Sequence, residues 1–292
     1  MTNSYRGILS LTMAALIWGC AFVAQSIGND LIGPFTFNMM RSIVGALSLL
    51  PVYFYFNKKS HASYDLYKTV KTGIICGIIL AIASLLQQVS MLYVPVGKAG
   101  FITGLYIVFV PIFSIIFFKK TVSKNIWIAV IVAIIGFTFI TNISNFELNI
   151  GEKLLLISAI FFAFHILTID HMLVNTNVIL LSSIQFVTGA IISAILAFIF
   201  EDVELTTILS AYIPILYAGV MSSGVAYTLQ ILGQKYTEPS VASLIMSLET
   251  VFSVIAGYFI LHEVLTIKEL IGCALIFIAI IFTQTGKQNE KE

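Results

Sequence analysis

Apolar runs close to 20 residues long, each ended by a short polar break, recur along the whole 292-residue chain. About 20 apolar residues are what an α-helix needs to cross the hydrocarbon of a bilayer. Ten such runs are read, at residues 8–28, 34–56, 70–92, 99–118, 124–141, 152–173, 178–200, 212–233, 239–260 and 266–285. The pattern predicts an all-α polytopic membrane protein of ten transmembrane helices. Connections are short. The longest, roughly residues 57–69, holds Lys58, Lys59, His61 and Tyr64 but no second hydrophobic pattern, so no soluble domain is expected. The first run follows Arg6 and contains AFVA, which resembles a signal peptide. Its length exceeds the 7–15 residues of a signal-peptide apolar core, and a retained helix is expected.

Composition removes the soluble alternative: 59% of residues are hydrophobic and 10% charged, against about 25% charged in soluble domains. Cys20, Cys76 and Cys273 all fall inside runs without CxxC spacing and read as small apolar fillers. The basic residues are unevenly divided. Arg6, Lys58, Lys59, Lys68, Lys71, Lys119, Lys120, Lys124, Lys235, Lys287 and Lys291 fall on one side, against Lys98, Lys153 and Lys268 on the other. Cytoplasmic loops accumulate Lys and Arg, so both termini are expected in the cytoplasm.

The two halves resemble each other. SLLQQVSMLYVPVGKAGFITGLYIVF from Ser84 aligns with AYTLQILGQKYTEPSVASLIMSLETVF from Ala226 at an offset of 143, matching Gln87 with Gln230, Tyr93 with Tyr236 and Phe109 with Phe252. At an offset of 144, Trp18 meets Phe162, Arg41 meets Gln185 and Gly45 meets Gly189. Residues 1–145 and 146–292 then form two five-helix repeats, the second with a short cytoplasmic tail. Five is odd, so the repeats are inverted. Secondary transporters commonly have this organisation, with the site at the repeat interface near the midplane.

LIWGCAFVAQ followed by PFTFNMMRSIVGAL, the central LQQVSMLYVPVGKAGFITGLYIVFVPIFS, and the late GVAYTLQILGQKYTEPSVASLIMSLETVFSVIAGYFILHEVLT together resemble EamA-type members of the drug/metabolite transporter superfamily. The resemblance spans nearly the whole chain. It implies a ten-helix, two-repeat carrier in the cell membrane that moves small organic solutes, chiefly exporting amino acids or related metabolites. One departure concerns charge: FFKKTVS stands in the first half where ILHEVLT stands in the second, so Lys120 is the counterpart of Glu263.

Polar residues inside the runs are the candidates for function. Ser223, Tyr227, Gln230 and Gln234 share one helical face, as do Ser84, Gln87, Gln88 and Met91, and Ala99, Thr103, Tyr106 and Val110. The plainer reading of such stripes is hydrogen bonding between helices, about 1 kcal/mol or less per contact. Trp18 lies midway along its run rather than at an interface, which suggests a cavity wall. His165 is either a satisfied interior histidine or a lining group able to carry a proton. Arg41 is expected to snorkel outward, pair with a helix end or carboxylate, or meet an anionic group. Asp170 with His171 reads as a solvated helix end, and Lys98 and Glu238 as loop charges without special function.

Glu249 is different, because it sits at the middle of the ninth run. A charge there costs about 2.5–3.5 kcal/mol, so the side chain must face water, gain a partner or be protonated. Arg41 is the one candidate partner inside a run, and the repeat sets Glu249 opposite Tyr106. The site set is therefore Trp18, Arg41, Gln87, Tyr106, His165, Tyr227, Gln230 and Glu249. Glu249 either contacts an amine-bearing substrate, exchanges a proton, or is a protonated carboxyl bonded between helices. No HExxH, GxSxG, GxxxxGK or TVGYG pattern occurs, and HEVL at His262 lacks a second His. The expectation is a secondary transporter that is not an enzyme and uses no cofactor or metal. Its partners are a small molecule, the bilayer and, for coupling, protons, with no nucleic acid, as a monomer or homodimer. The alternatives are a multidrug or nucleoside-like metabolite carrier, and a non-transporting membrane sensor.

Overall fold

Each of the ten apolar runs is helical in the computed structural model, which describes residues 3–59, 63–140, 148–260, 262 and 266–289. His61, Glu263 and Lys291 lie outside the described residues. The helices are α1 Asn3–Leu31, α2 Pro34–Lys59, α3 Leu66–Ser90, α4 Val96–Phe118, α5 Lys124–Ile140, α6 Ile150–Met172, α7 Val178–Phe200, α8 Tyr212–Gln234, α9 Pro239–Ile260 and α10 Ile267–Asn289. Eight are long and apolar enough to cross a membrane, and α5 and α10 carry shorter apolar stretches. An exposed one-and-a-half-turn helix, Leu205–Ser210, lies between α7 and α8.

Helix ends follow the local chemistry of the breaks. Asp65 and Asn177 cap α3 and α7 by accepting from Lys68 N and Leu180 N. Asn149 and Glu152 form a reciprocal capping box on α6. The carboxylate of Glu201, just after α7, accepts from Phe35 N at 2.8 Å and Thr36 N at 2.7 Å, so it holds the free amides at the start of α2. α1 extends beyond the expected 8–28 at both ends, because polar residues such as Asn3, Asn29 and Asp30 end an apolar run without ending a helix.

Three helices are not continuous. α4 breaks at Leu105 and α9 at Ser247, within one residue of the same repeat position. Pro111, between one and two turns after the first break, removes a helical donor. Around the second, Ser243 Oγ and Ser247 Oγ bond back to carbonyls three residues earlier, a habit that bends helices. In α8, Tyr217–Ala226 is π-helical. This stretch packs closely on α2: a Cβ on Gly219 would lie 2.5 Å from Val44 Cγ1, and one on Gly45 would lie 2.6 Å from Ser223 Cβ.

The halves interdigitate. α1 packs on α8 and α9 of the second half, and α6 packs on α3 and α4 of the first. α2 pairs with α7, and α5 with α10. Two triads result, α1–α8–α9 and α3–α4–α6, facing each other across the middle of the protein. Within the second triad, Lys98 pairs with Glu152 at one end of α4 and α6, and Lys120 with Asp170 at the other. Lys98 and Asp170, expected to be a plain loop charge and a solvated helix end, therefore join two helices. Within the first, Gly19 admits α9 so closely that a Cβ there would sit 2.3 Å from Phe252 Cβ and 2.7 Å from Phe252 C.

That contact sets a test of the packing. Gly19→Ala must push α1 and α9 apart and should destabilise by about 1–3 kcal/mol. Gly97→Ala, whose new Cβ would meet nothing nearer than Val254 Cγ2 at 4.0 Å, should not. Thermal unfolding of the two purified variants in detergent checks the pair.

Candidate functional site

A small cavity lies where the two triads face each other. All eight residues singled out in the sequence border it. α1 contributes Trp18, α2 Arg41, α3 Gln87, α4 Tyr106, α6 His165, α8 Tyr227 and Gln230, and α9 Glu249.

The repeat explains much of this convergence. Five pairs of lining residues are related by the offsets of 143 and 144: Trp18 with Phe162, Phe22 with Ile166, Gln87 with Gln230, Thr103 with Met246, and Tyr106 with Glu249. The helix breaks aim the last pair. Tyr106 and Glu249 each stand in the first turn after a break. Phenol and carboxyl are close enough to interact. Even so, neither Tyr106 Oη nor Glu249 Oε1 completes a hydrogen bond of ordinary geometry with the protein.

The charged and aromatic groups divide the wall. Arg41 does not snorkel, because it is 3% exposed and donates from Nη1 to Gln25 Oε1 at 2.8 Å. No ion pair within 4.0 Å joins it to Glu249, nor does it meet another carboxylate among the described residues. A neutral amide thus holds the guanidinium, leaving Nε without a protein partner. Trp18 meets Tyr227 edge-on at 4.7 Å, and Tyr227 also meets His165 at 5.8 Å and Phe186 at 5.3 Å. His165 Nε2 bonds Gln185 Oε1 at 3.1 Å, while Nδ1 has no protein partner. Gln87 donates to Thr103 Oγ1 at 3.0 Å.

Most buried polar atoms in proteins have partners. Here Trp18 Nε1, Arg41 Nε, Tyr106 Oη, His165 Nδ1, Gln230 Oε1 and Glu249 Oε1 are buried without one in the protein, and all six residues border the same cavity. The wall therefore presents donors and acceptors of both charge signs, set among aromatic faces. Such a surface suits a small polar organic molecule with an apolar part.

The polar stripes resolve into lining residues and interhelical bonds. Tyr227 and Gln230 line the cavity, but Ser223 is buried against Gly45, and Gln234 donates to Ile166 O at 2.8 Å. The π-helical turn widens α8, so that Ser222 faces the cavity rather than Ser223. On α3 only Gln87 lines it. Asn38 Nδ2 lies 3.4 Å from Ser84 Oγ, and Gln88 bonds Asn29 Oδ1 at 2.6 Å. Thr103 and Tyr106 line it from α4, whereas Ala99 and Val110 belong to the packed core. The sequence reading passed over Phe22, Gln25, Phe162, Ile166 and Met246. Helical spacing carries that signal: Trp18, Phe22 and Gln25 share one face, as do Phe162, His165 and Ile166.

A second, larger space opens at the end where α1 begins. Tyr53, Tyr64, Asp170, Asn177, Thr228 and Gln234 are among the residues that border it.

Comparison with known proteins agrees with this architecture. A profile of the EamA-like transporter family matches twice, over residues 5–142 and 149–285. An uncharacterized transporter of Archaeoglobus fulgidus is 33% identical over 273 residues, covering 94% of this chain and 84% of that protein. An uncharacterized transporter of Bacillus subtilis, YoaV, is 24% identical over 283 residues, covering 94% of each chain. A solved structure, described as a crystal structure of a protein, superposes with a TM-score of 0.77 at 14% identity, covering 94% of this chain and 97% of its own. That likeness bears on the fold alone. The twofold profile match and the similarity over nearly the whole chain place this protein in the EamA-like transporter family of the drug/metabolite transporter superfamily, as a multi-pass membrane transporter rather than an enzyme.

Proposed function

We propose that the central cavity is the translocation site of an alternating-access carrier that exports amino acids or closely related amines across the cell membrane. One observation carries this reading: a buried guanidinium and a buried carboxyl border the same cavity without pairing with each other. A zwitterion answers both at once. Its carboxylate meets Arg41, held in place by Gln25, and its ammonium meets Glu249 with Tyr106 alongside. Trp18, Tyr227 and His165 enclose the remainder, and Gln87 and Gln230 border it from related positions on α3 and α8. Each charged contact is worth about 1.5–3 kcal/mol. The unequal division of Lys and Arg supports cytoplasmic termini. Export follows the family resemblance, and the residues named above define two repeats meeting at the cavity.

Transport in proteoliposomes, with a panel of amino acids and their decarboxylated amines, separates the two poles. Glu249→Gln should lower apparent affinity for both classes about 10- to 100-fold. Arg41→Gln should do so for the amino acids and spare the amines. Unchanged affinity and pH dependence in Glu249→Gln overturns the assignment of the acid, both as substrate contact and as proton carrier.

Gln25→Leu should cost a similar 10-fold or more for amino acids, because the guanidinium loses the only partner seen for it among the described residues. Lysine at position 41 should not restore the loss. For orientation, a protease site fused at either terminus should be cut in inverted vesicles and protected in intact cells.

A further inference from the structure

Towards each end of the cavity a glutamine bridges helices of opposite triads. α1 and α3 belong to opposite triads and scarcely touch. At the end where α1 finishes, called the far end, Gln88 Nε2 donates to Asn29 Oδ1 at 2.6 Å and to Gln25 O at 3.2 Å, and Asn29 Nδ2 donates to Gln88 O at 3.0 Å. α6 and the end of α8 also belong to opposite triads and make little other contact. At the near end, where Gly7 of α1 lies against Gly233 and Thr237, Gln234 Nε2 donates to Ile166 O at 2.8 Å.

The two bridges are related by the repeat. α1 corresponds to α6 and α3 to α8, so each joins the first and third helices of one half. In each, a side-chain amide reaches a main-chain carbonyl on the facing helix. Both sit directly on the cavity: Gln25 and Ile166 line it, Gln87 is the neighbour of Gln88, and Gln230 lies one turn before Gln234. Gln234 also borders the larger space at the near end.

We infer that Gln88 and Gln234 are the paired latches of alternating access, the first closing the cavity to the far face and the second to the near face. Each is a hydrogen bond between rigid groups of helices, and its loss exposes the cavity to one side alone. The ends are unequal. At the far end Thr250 Oγ1 of α9 also donates to Gly100 O of α4 at 3.0 Å, so that end stays partly held without Gln88. The near end opens first. This inference rests on the proposed function only in taking the cavity as the transport path, and no substrate is needed to test it.

The reporter is Ser222→Cys, at the cavity wall, in a chain with Cys20, Cys76 and Cys273 replaced by alanine. Sealed vesicles of each orientation are treated with a membrane-impermeant maleimide. Gln234→Leu should raise the labelling rate from the near face about 3- to 10-fold and leave the far face unchanged. Gln88→Leu should raise labelling from the far face only, and by less. Where a leucine variant does not reach the membrane, Gln→Asn at the same position, which shortens the amide's reach, is read instead. Labelling that rises from both faces, from the opposite face, or from neither overturns the latches. Because the reading involves no transport, it stands or falls separately from the roles of Glu249 and Arg41.

Discussion

Hydrocarbon does not solvate a polar group, and the rest of this structure follows from that constraint. Every backbone amide must find its partner inside its own helix or at a cap, which leaves helices as the spanning element. Side chains obey the same rule in two ways. Ser84, Ser158 and Ser193 settle it by bonding between helices. The residues around the central cavity do not settle it fully. The interior thus separates into polar groups that hold helices together and polar groups presented to a shared space.

Interdigitated repeats make such a space without any added domain. Because α1 and α6 each leave their own half to pack on the other, the pseudo-symmetry axis runs between two mixed triads, and related residues arrive on opposite walls. Where the pairs remain alike, as with Gln87 and Gln230, they give the wall a common chemistry. Where they diverge they polarise it. Glu249 faces Tyr106, and Arg41 has Gln185 as its counterpart, whose side chain sits behind His165 instead. A duplicated scaffold places the side chains, and the departures from duplication put Arg41 and Glu249 on the cavity wall.

The helix count, the repeat and the wall were legible because each rests on a short-range regularity: the length of an apolar run, a fixed offset, a helical face. Tyr106 and Glu249 could be paired by arithmetic before any contact was known. What the sequence did not disclose depends on departures from those regularities. The π-helical turn that exchanges Ser223 for Ser222 has no α-periodic signature. The breaks at Leu105 and Ser247 fall inside apolar runs whose lengths carry no mark of them. Arg41 looked ready to snorkel because its distance from the membrane surface is visible in one dimension, whereas Gln25, which holds it inward, lies on another helix. Lys98 and Asp170 likewise look like isolated charges until α4 and α6 are set side by side.

Those ion pairs bear on how the molecule moves. α4 and α6 are tied at both ends by Lys98–Glu152 and Lys120–Asp170, and Ser158 Oγ adds a bond from α6 to Ala83 O of α3 at 2.7 Å. In the other triad, Gly19 seats α1 against Phe252 of α9, and Tyr217 Oη ties α8 to Ile17 O at 3.1 Å. Bonds inside each triad are therefore distributed along its length, while bonds between triads are few and gathered at the two ends of the cavity. A body built this way yields at its ends before it deforms within. Rigid-body rocking of one group against the other, as the proposed carrier mechanism requires, breaks few of these hydrogen bonds. The glutamines then matter as polar contacts between groups that are otherwise joined by the apolar packing of α4 on α9.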